Sequence, residues 1–475
     1  MKKNLIFYIL FTGGFSLLIW FLLNNGKDLE ANRILPQMTP SENGSIFSGL
    51  NSNIHNPLST LILQITVILI IARILGYLFK KAGQPSVVGE IIAGIVLGPS
   101  LLGLYLPEVS SFIFPTSSLG NIQFLSQIGL ILFMFIVGME IDSTTIKNQA
   151  HQAVIISHAS IIFPFFLGVV SSFFLYSSFA PATIPFVAFA LFMGIAMSIT
   201  AFPVLARIVH EKGLSKHPIG IVSLTCAAAD DVTAWCVLAA VIAIVKATTI
   251  LSALLTIVLA AAYLLFMLYV VKPGLKKLFS IKAQNGEVSR SLTGIIFLVL
   301  LLSSYICEII GIHALFGAFI AGVIMPEELN LKKVISEKIE DVALVLLLPL
   351  FFVFTGLRTH INLLNNPHLW IICLCIIVLA VLGKLVGSAL AAKITGLSWK
   401  RALSIGVLMN TRGLMELVVL NIGYDLGVLS PEIFTMMVIM ALVTTFMTGP
   451  FLNFITRNVP EQELTETEKA VNPIA

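Results

Sequence analysis

Fourteen apolar stretches of roughly membrane-spanning length follow one another along this chain of 475 residues. Hydrophobic residues make up 57% of the chain and charged residues only 11%, whereas soluble domains carry about 25% charged residues. A chain can cross lipid only as helices or as a closed barrel, because only these satisfy every backbone hydrogen bond internally, and stretches of this length are helical. The sequence therefore predicts an all-α polytopic membrane protein.

The stretches define the predicted organisation of the chain. The run 290–325 is too long for one helix and is divided at Gly311. The predicted spans are 5–23, 57–79, 86–105, 121–141, 152–175, 183–206, 218–246, 249–271, 290–309, 312–325, 340–357, 369–392, 401–423 and 430–455.

Four segments follow from these spans. Residues 1–23 form either an uncleaved signal anchor or a signal peptide. Residues 24–56 are polar, without an apolar period, and are predicted to be an exposed linker. The thirteen core spans form a membrane domain over 57–455, and 456–475 form a short tail.

Basic residues mark one end of the core spans. At the other end, the loops between these spans contain only two basic residues, Lys246 and Arg358. The excess of Lys and Arg places the first set of loops in the cytoplasm, so the tail is cytoplasmic and the location is the cell (inner) membrane. The net charge of +4 fits this topology, and no nucleic-acid partner is predicted.

Asp230 and Asp231 stand side by side near the midpoint of span 218–246. Each acid at the centre of a bilayer costs at least ~2.5–3.5 kcal/mol on insertion scales, so the pair predicts an ion or proton site. Adjacent helical residues point ~100° apart, so the two carboxylates have different surroundings. Lys384, in span 369–392, is the candidate counter-charge, and a lysine that snorkels to the membrane surface is the alternative.

Two core spans contain residues that disrupt a helix. Span 183–206 holds Thr200 and Pro203, and proline lacks the N–H of a helical hydrogen bond. Span 401–423 holds the polar run Asn410, Thr411, Arg412 and Gly413. Interrupted helices at corresponding positions of two halves indicate a binding site near the bilayer midplane, whereas either one alone is equally a tolerated kink.

The order of the spans also predicts internal symmetry. If the thirteen core spans divide as six, one and six, corresponding spans are seven apart and therefore have opposite orientations, as in an inverted repeat. Arg412 and Glu416 are four residues apart, which is ion-pair spacing on a helix, and we interpret them as a structural pair. The five cysteines lie in apolar spans and are interpreted as small core residues.

Several segments resemble, in order, the monovalent cation:proton antiporter-2 family, which includes Kef-type proteins and plant cation/proton exchangers. The resemblance covers roughly 57–455. The segments are 84–99 (QPSVVGEIIAGIVLGP), 133–140 (FMFIVGME), 200–207 (TAFPVLAR), 229–235 (ADDVTAW), 351–358 (FFVFTGLR), 383–384 (GK) and 410–413 (NTRG).

The resemblance implies a thirteen-helix antiporter core with inverted repeats, two crossed interrupted helices and a homodimer interface. It assigns Asp231 as the ligand of cation and proton, Asp230 as the partner of Lys384, and Thr200 to the crossing point. Paired-aspartate members tend towards electrogenic exchange. Full-length Kef systems carry a nucleotide-binding regulatory domain, whereas the 18 residues after Arg457 hold no glycine-rich motif, so we expect none here.

The expected activity is secondary transport, in which Na⁺ or K⁺ is exchanged for H⁺ within membrane lipid, without a cofactor. Two alternatives remain open at this point: a cation channel and a non-transporting membrane sensor built on a transporter scaffold. A channel would carry a filter-like motif, and none is found. No nucleophile–base pair indicates an enzyme.

Overall fold

The computed structural model describes residues 2–26, 53–140, 150–214, 217–246, 250–282, 290–326 and 331–456. The chain separates into two compact units, Met1–Ser59 and Thr60–Ala475. The first unit contains helix α1 (Lys2–Gly26), which covers the predicted first span. Most of the predicted linker 24–56 and nearly all of the tail 456–475 lie outside the described residues.

The rest of the described chain is helical. Its helices are α2 (Pro57–Lys81), α3 (Ser86–Leu97), α4 (Leu102–Tyr105), α5 (Pro107–Ile113), α6 (Leu119–Glu140), α7 (Ala150–Phe179), α8 (Phe186–Ser198), α9 (Phe202–Glu211), α10 (Pro218–Lys246), α11 (Ile250–Phe266), α12 (Lys272–Lys282), α13 (Arg290–Ile310), α14 (Ala314–Val323), α15 (Leu331–Glu340), α16 (Leu348–Leu357), α17 (Pro367–Ile394), α18 (Trp399–Met409), α19 (Leu414–Asp425) and α20 (Pro431–Thr456). Short π-helical turns, Met267–Val271 and Asp341–Leu347, join α11 to α12 and α15 to α16.

Among the described residues, 11 helical segments are long and apolar enough to cross a membrane. The pair α18 and α19 passes the same test together, with a bend of 44° between them, and α14 is a shorter apolar helix. The all-α polytopic class is therefore confirmed. The count of thirteen spans stays a prediction, because it requires the ten-residue α14 to be counted as one.

The predicted division at Gly311 is confirmed. Gly311 has φ +95°, a left-handed conformation that glycine adopts without a steric cost, and His313 after it has φ 82°. The chain therefore reverses between α13 and α14 instead of continuing as one long helix. His313 accepts a hydrogen bond from the backbone N–H of Leu315 at the start of α14.

The helices pack as two groups. One group, here called the site bundle, consists of α7 to α10 and α17 to α20, which contact one another extensively. The other, here called the flanking bundle, consists of α3, α6, α13, α14 and α16. Few contacts join α16 to α19 or α3 to α20 across the two groups, although Trp235 of α10 stacks on Phe319 of α14 with ring centroids 6.4 Å apart.

The interpretation of all five cysteines as core residues is wrong for two of them. Cys226, Cys307 and Cys373 are buried, whereas Cys236 and Cys375 are exposed on the apolar surface. Cys373 and Cys375 are two positions apart on α17, so they lie on nearly opposite faces of the helix and only one of them can face the bundle interior.

Candidate functional site

Both spans predicted to be interrupted are broken helices. Helix α8 ends at Ser198, the backbone is extended at Ile199 and Ala201, and α9 begins at Phe202. Pro203 lies in the first turn of α9, where a proline is tolerated because the first N–H groups of a helix have no partner within it. In the second span, α18 ends at Met409 and α19 begins at Leu414.

The two breaks meet. The backbone N–H of Ala201 donates to the carbonyl of Thr411 at 3.0 Å. The hydroxyl of Thr200 lies 3.4 Å from the carbonyl of Met409. Groups in the first break therefore form hydrogen bonds with backbone carbonyls at the second break. Such bonds allow irregular backbone to lie within a membrane protein.

Arg412 braces this crossing. Its guanidinium donates to the carbonyls of Ala196 at 3.1 Å and Met197 at 2.6 Å, which are free because α8 ends there. It also pairs with Glu416 at 2.8 Å, and both side chains are fully buried. The positive charge lies at the negative end of the α8 dipole, while the carboxylate balances it, so the predicted pair spans the break and holds α8 to α19.

Asp230 is held by four donors. Its Oδ1 accepts from the hydroxyl of Ser157 at 2.6 Å, and its Oδ2 accepts from Ser160 at 2.9 Å and Thr200 at 2.7 Å. The ammonium of Lys384 lies 3.3 Å from the same Oδ2. The carboxylate is completely buried, and this set of donors replaces the water that would otherwise stabilise its charge.

Lys384 is fully buried and does not snorkel. Its three ammonium hydrogens match three acceptors: Thr200 at 2.6 Å, Ser160 at 2.9 Å and Asp230 at 3.3 Å. Two glycines bring α17 this close to α7. A Cβ at Gly383 would lie 2.9 Å from Cβ of Pro164, and one at Gly387 would lie 3.0 Å from Cβ of Phe163.

Asp231 contrasts with its neighbour. It is 2% exposed, and neither of its oxygens accepts a hydrogen bond of ordinary geometry from any described residue. The backbone N–H of Phe202, the first residue of α9, lies close to the carboxyl group, so the positive end of that helix dipole is directed towards it. Asp231 is therefore the acidic group of the pair that retains free oxygens for another ligand.

Further oxygens without partners lie in the second break. The Oδ1 of Asn410 and the Oγ1 of Thr411 are buried and accept or donate no hydrogen bond among the described residues. Monovalent cations in membrane proteins are bound by oxygens that replace the hydration shell. The crossing thus combines a free carboxylate with neutral oxygens on one of the two broken helices. Gly413, which ends this break, leaves room for Val204, whose Cγ2 would lie 2.8 Å from an added Cβ.

Ser157 and Ser160 were not predicted from the sequence. They are three residues apart on α7 and therefore share one face of that helix. Two hydroxyls at this spacing in an otherwise apolar span were the available signal. Serine is common in spanning helices, however, where it often bonds to its own backbone, so the spacing alone does not indicate a site.

The fold and the crossing define a class of multi-pass membrane protein in which two broken helices surround buried acidic groups. The sequence model described as "sodium/hydrogen exchanger, transmembrane" matches residues 66–458. The chain is 44% identical over 398 residues to the Na⁺/H⁺ antiporter NhaS4 of Synechocystis, covering 84% of this chain and 97% of that protein.

Longer relatives are also similar. Cation/H⁺ antiporter 17 of Arabidopsis thaliana is 40% identical over 433 residues, covering 91% of this chain and 52% of that protein. K⁺/H⁺ antiporter 1 of Saccharomyces cerevisiae is 34% identical over 425 residues, covering 87% and 48%. The chain thus spans about half the length of these two relatives.

A solved structure has the same fold. The sodium proton antiporter MjNhaP1 of Methanocaldococcus jannaschii superimposes with a TM-score of 0.62 over 84% of this chain and 99% of that chain, at 16% identity. This chain belongs to the sodium/hydrogen exchanger family. It is an integral membrane transporter of the antiporter class, as the resemblance predicted, and not an enzyme.

Proposed function

We propose that this chain exchanges Na⁺ or K⁺ for H⁺ by alternating access, with Asp231 as the group that binds either the cation or the proton. The observation that carries the proposal is the contrast between two adjacent acids. Asp230 is satisfied by four donors, while Asp231 is equally buried and accepts no ordinary hydrogen bond from the described residues.

Competition for one carboxylate is sufficient to couple the two flows. A bare carboxylate in a dry interior is unfavourable, so Asp231 is stabilised by taking up either a proton or a cation. The two ligands exclude each other at the same oxygens. Each change of access therefore carries one ligand or the other, and cation movement in one direction drives proton movement in the opposite direction.

The broken helices supply the remaining ligands in this proposal. Thr200, Asn410 and Thr411 line the crossing with neutral oxygens, and the start of α9 is directed at Asp231. The breaks lie in spans that are seven apart in the predicted order, which supports an inverted repeat of two six-span halves. The geometry of the crossing is maintained by residues that do not contact the ion in this proposal: Arg412, Glu416, Gly413 and Pro203.

Charge counting bears on whether exchange is electrogenic. With Asp230, Asp231 and Lys384 all ionised, the site carries one net negative charge, and either one cation or one proton neutralises it. Electrogenic exchange of two protons per cation therefore needs a second proton carrier, and the adjacent Asp230–Lys384 pair, 3.3 Å apart, is placed for that role. One net charge per cycle would be worth about 2.3 kcal/mol per 100 mV.

Alternating access would occur by movement of the site bundle against the flanking bundle. The few contacts between α16 and α19 and between α3 and α20 support this division. The homodimer implied by the family resemblance belongs to the same proposal. The mass of the complex purified in mild detergent tests it, since a mass of one chain would refute it.

The experiment is cation-driven proton movement in proteoliposomes. A pH-sensitive dye follows proton movement as Na⁺, K⁺ or Li⁺ is added, in the wild type and in Asp231→Asn. We expect a response to Na⁺ or K⁺ that is lost in the variant, and an imposed membrane potential should alter the rate if exchange is electrogenic. Glu432→Gln, at the start of α20 away from the crossing, is the matched control and should retain exchange.

Binding is measured separately from transport. A cation that binds the folded protein raises its thermal unfolding temperature in proportion to RT ln(1 + [L]/Kd). The same cation should stabilise the wild type and Glu432→Gln, but not Asp231→Asn. Proton-coupled exchange at the wild-type rate in folded Asp231→Asn would refute the assignment of that residue.

A further inference from the structure

The site bundle and the flanking bundle are joined by polar contacts at one end of the molecule. Arg358 follows the last turn of α16, and its Nη1 lies 2.7 Å from Oδ1 of Asp425, the last residue of α19. Arg358 belongs to the loops predicted from charge to face the outside of the cell. The ion pair therefore ties the outer end of a broken helix to the flanking bundle.

Three more hydrogen bonds surround this pair. Arg358 also donates to Oδ1 of Asn421 at 3.2 Å, and the amide of Asn421 donates to the hydroxyl of Thr355 on α16 at 2.8 Å. From α6, the amide of Gln123 donates to Asp425 at 3.4 Å. We call Gln123, Thr355, Arg358, Asn421 and Asp425 the outer cluster. Its members come from α6, α16 and α19, so each of these bonds crosses from one bundle to the other.

A small cavity lies against the outer cluster. It is lined by Gln123, Asn421 and Asp425 together with apolar residues that include Leu130 and Val418, and its volume is about 30 Å³. About 10–15 Å³ of such space holds one water molecule, so the cavity has room for only about two or three. A hydrated cation does not fit, and Val418 lies one helical turn below Asn421 on the way to the break at Gly413. The outer cluster thus closes this route to the crossing.

The opposite end of the molecule has a related contact. Arg207, on the other half-helix that follows a break, α9, donates to the hydroxyl of Ser86 at the start of α3 at 2.9 Å. Each of the two half-helices that follow a break is therefore joined to the flanking bundle by a side-chain contact of an arginine. The topology predicted from the loop charges places the two contacts on opposite sides of the membrane.

We propose that Arg358 and Asp425 act as an outer latch, which holds the site closed to the outside and must open in every transport cycle. This inference rests on the proposed alternating access and names the residues that control one of its two states. Opening the latch would release α19 from α16 and widen the small cavity towards the crossing.

The exposure of the pair suits a contact that breaks repeatedly. The side chains of Arg358 and Asp425 are 18% and 38% exposed, so water can replace each partner when they separate. Ion pairs of this kind contribute little net stability, unlike the fully buried pair of Arg412 and Glu416. When the latch opens, Arg358 can stay on its own helix, where its guanidinium lies 4.2 Å from the ring centroid of Phe354.

Thiol accessibility tests the latch without requiring ion exchange. Val418→Cys places a thiol beneath the outer cluster at a position that is 1% exposed. A membrane-impermeant thiol reagent is applied from outside to cells or right-side-out vesicles, and labelling of the parent chain with its native cysteines is subtracted. We expect Asp425→Asn, and independently Arg358→Gln, to accelerate labelling of this thiol about twofold to fivefold.

Two controls give the result its meaning. Glu432→Gln removes an acid from the neighbouring start of α20 and should leave the labelling rate unchanged. Exchange of the charges, Arg358→Glu with Asp425→Lys, should restore slow labelling if the pair itself is the latch. Unchanged labelling in both single variants, or equal acceleration by Glu432→Gln, would overturn the proposal. Since labelling needs no transport, such a result would leave the assignment of Asp231 to be judged by its own exchange assay.

Discussion

Removing the hydroxyls of Ser157 and Ser160 tests how the structure keeps a charged Asp230 inside the membrane. Ser157→Ala removes one of the four donors to the Asp230 carboxylate, the bond of 2.6 Å to Oδ1. Ser160→Ala removes the bond of 2.9 Å to Oδ2 and also an acceptor of the Lys384 ammonium at 2.9 Å. The side chains of both serines, of Asp230 and of Lys384 are buried, so water cannot easily replace the lost hydrogen bonds.

The expected cost follows from the number of bonds to charged groups. Each such hydrogen bond contributes about 1.5–3 kcal/mol, so Ser157→Ala should lower the free energy of unfolding by about that amount. Ser160→Ala loses two of these bonds, and we expect about 2–4 kcal/mol, because Thr200 still bonds to both Asp230 and Lys384. The double variant should cost less than the sum, since both serines act on the same carboxylate.

The measurement is denaturant unfolding of the purified protein in detergent micelles. Ser172→Ala is the matched control, because Ser172 lies on the same helix and is equally buried, and its hydroxyl bonds, among the described residues, only to the backbone carbonyl of Gly168 at 2.9 Å. A bond between neutral groups contributes about 0.5–1.5 kcal/mol. If Ser157→Ala and Ser160→Ala cost no more than Ser172→Ala, the idea that these hydroxyls stabilise a charged Asp230 is wrong.

Three further predictions concern the crossing and its support. Arg412→Ala leaves Glu416 as a buried charge without its partner and leaves two carbonyls of α8 without a donor. We therefore expect the free energy of unfolding, measured in the same assay, to fall by about 3–5 kcal/mol. The loss should be smaller for Glu416→Gln. Gly387→Leu would push α17 away from α7 and displace Lys384, so exchange in proteoliposomes should fall at least about tenfold. Gly449→Ala is the control and should retain exchange, because a Cβ added at Gly449 meets nothing within 4 Å. Asp230→Asn replaces one acceptor oxygen with an amide NH2, which cannot accept from the hydroxyls of Ser157, Ser160 or Thr200, and it removes the counter-charge of Lys384, so stability should fall by about 3–5 kcal/mol. Asp231→Asn should leave stability nearly unchanged in the absence of cations. The opposite order would exchange the roles of the two acids.

Hydropathy was sufficient to find the membrane helices, because the cost of exposing polar groups to lipid acts on each segment by itself. The identity of particular residues located both breaks, because Pro203 and the run from Asn410 to Gly413 disrupt a helix regardless of what packs around them. The usual length of a spanning helix did not decide whether α14 counts as a membrane span. Its ten residues pack against α6 and α13 rather than crossing as an independent segment of ordinary length.

The family assignment came from ordered motifs, and the match over residues 66–458 confirms it. The motifs do not reveal what each side chain contacts. Ser157 and Ser160 lie outside all of them, yet they supply two of the four hydrogen bonds to Asp230. Arg412 was interpreted as part of a helix break and, from its spacing, as the partner of Glu416. Its contacts with Ala196 and Met197 instead join segments more than 200 residues apart in the chain.

The sequence by itself determined that this chain is a polytopic helical membrane protein of the antiporter class, with two acids and two breaks in its membrane segments. These features depend on composition and on residues close together in the chain. Only the tertiary structure decided that Asp230 is enclosed by donors from two other helices and from the break after α8, whereas Asp231 has no such donors. Only the tertiary structure decided that Arg358 reaches Asp425. Such differences arise from packing between distant segments, and two adjacent aspartates of identical chemistry can be told apart only by what surrounds each of them.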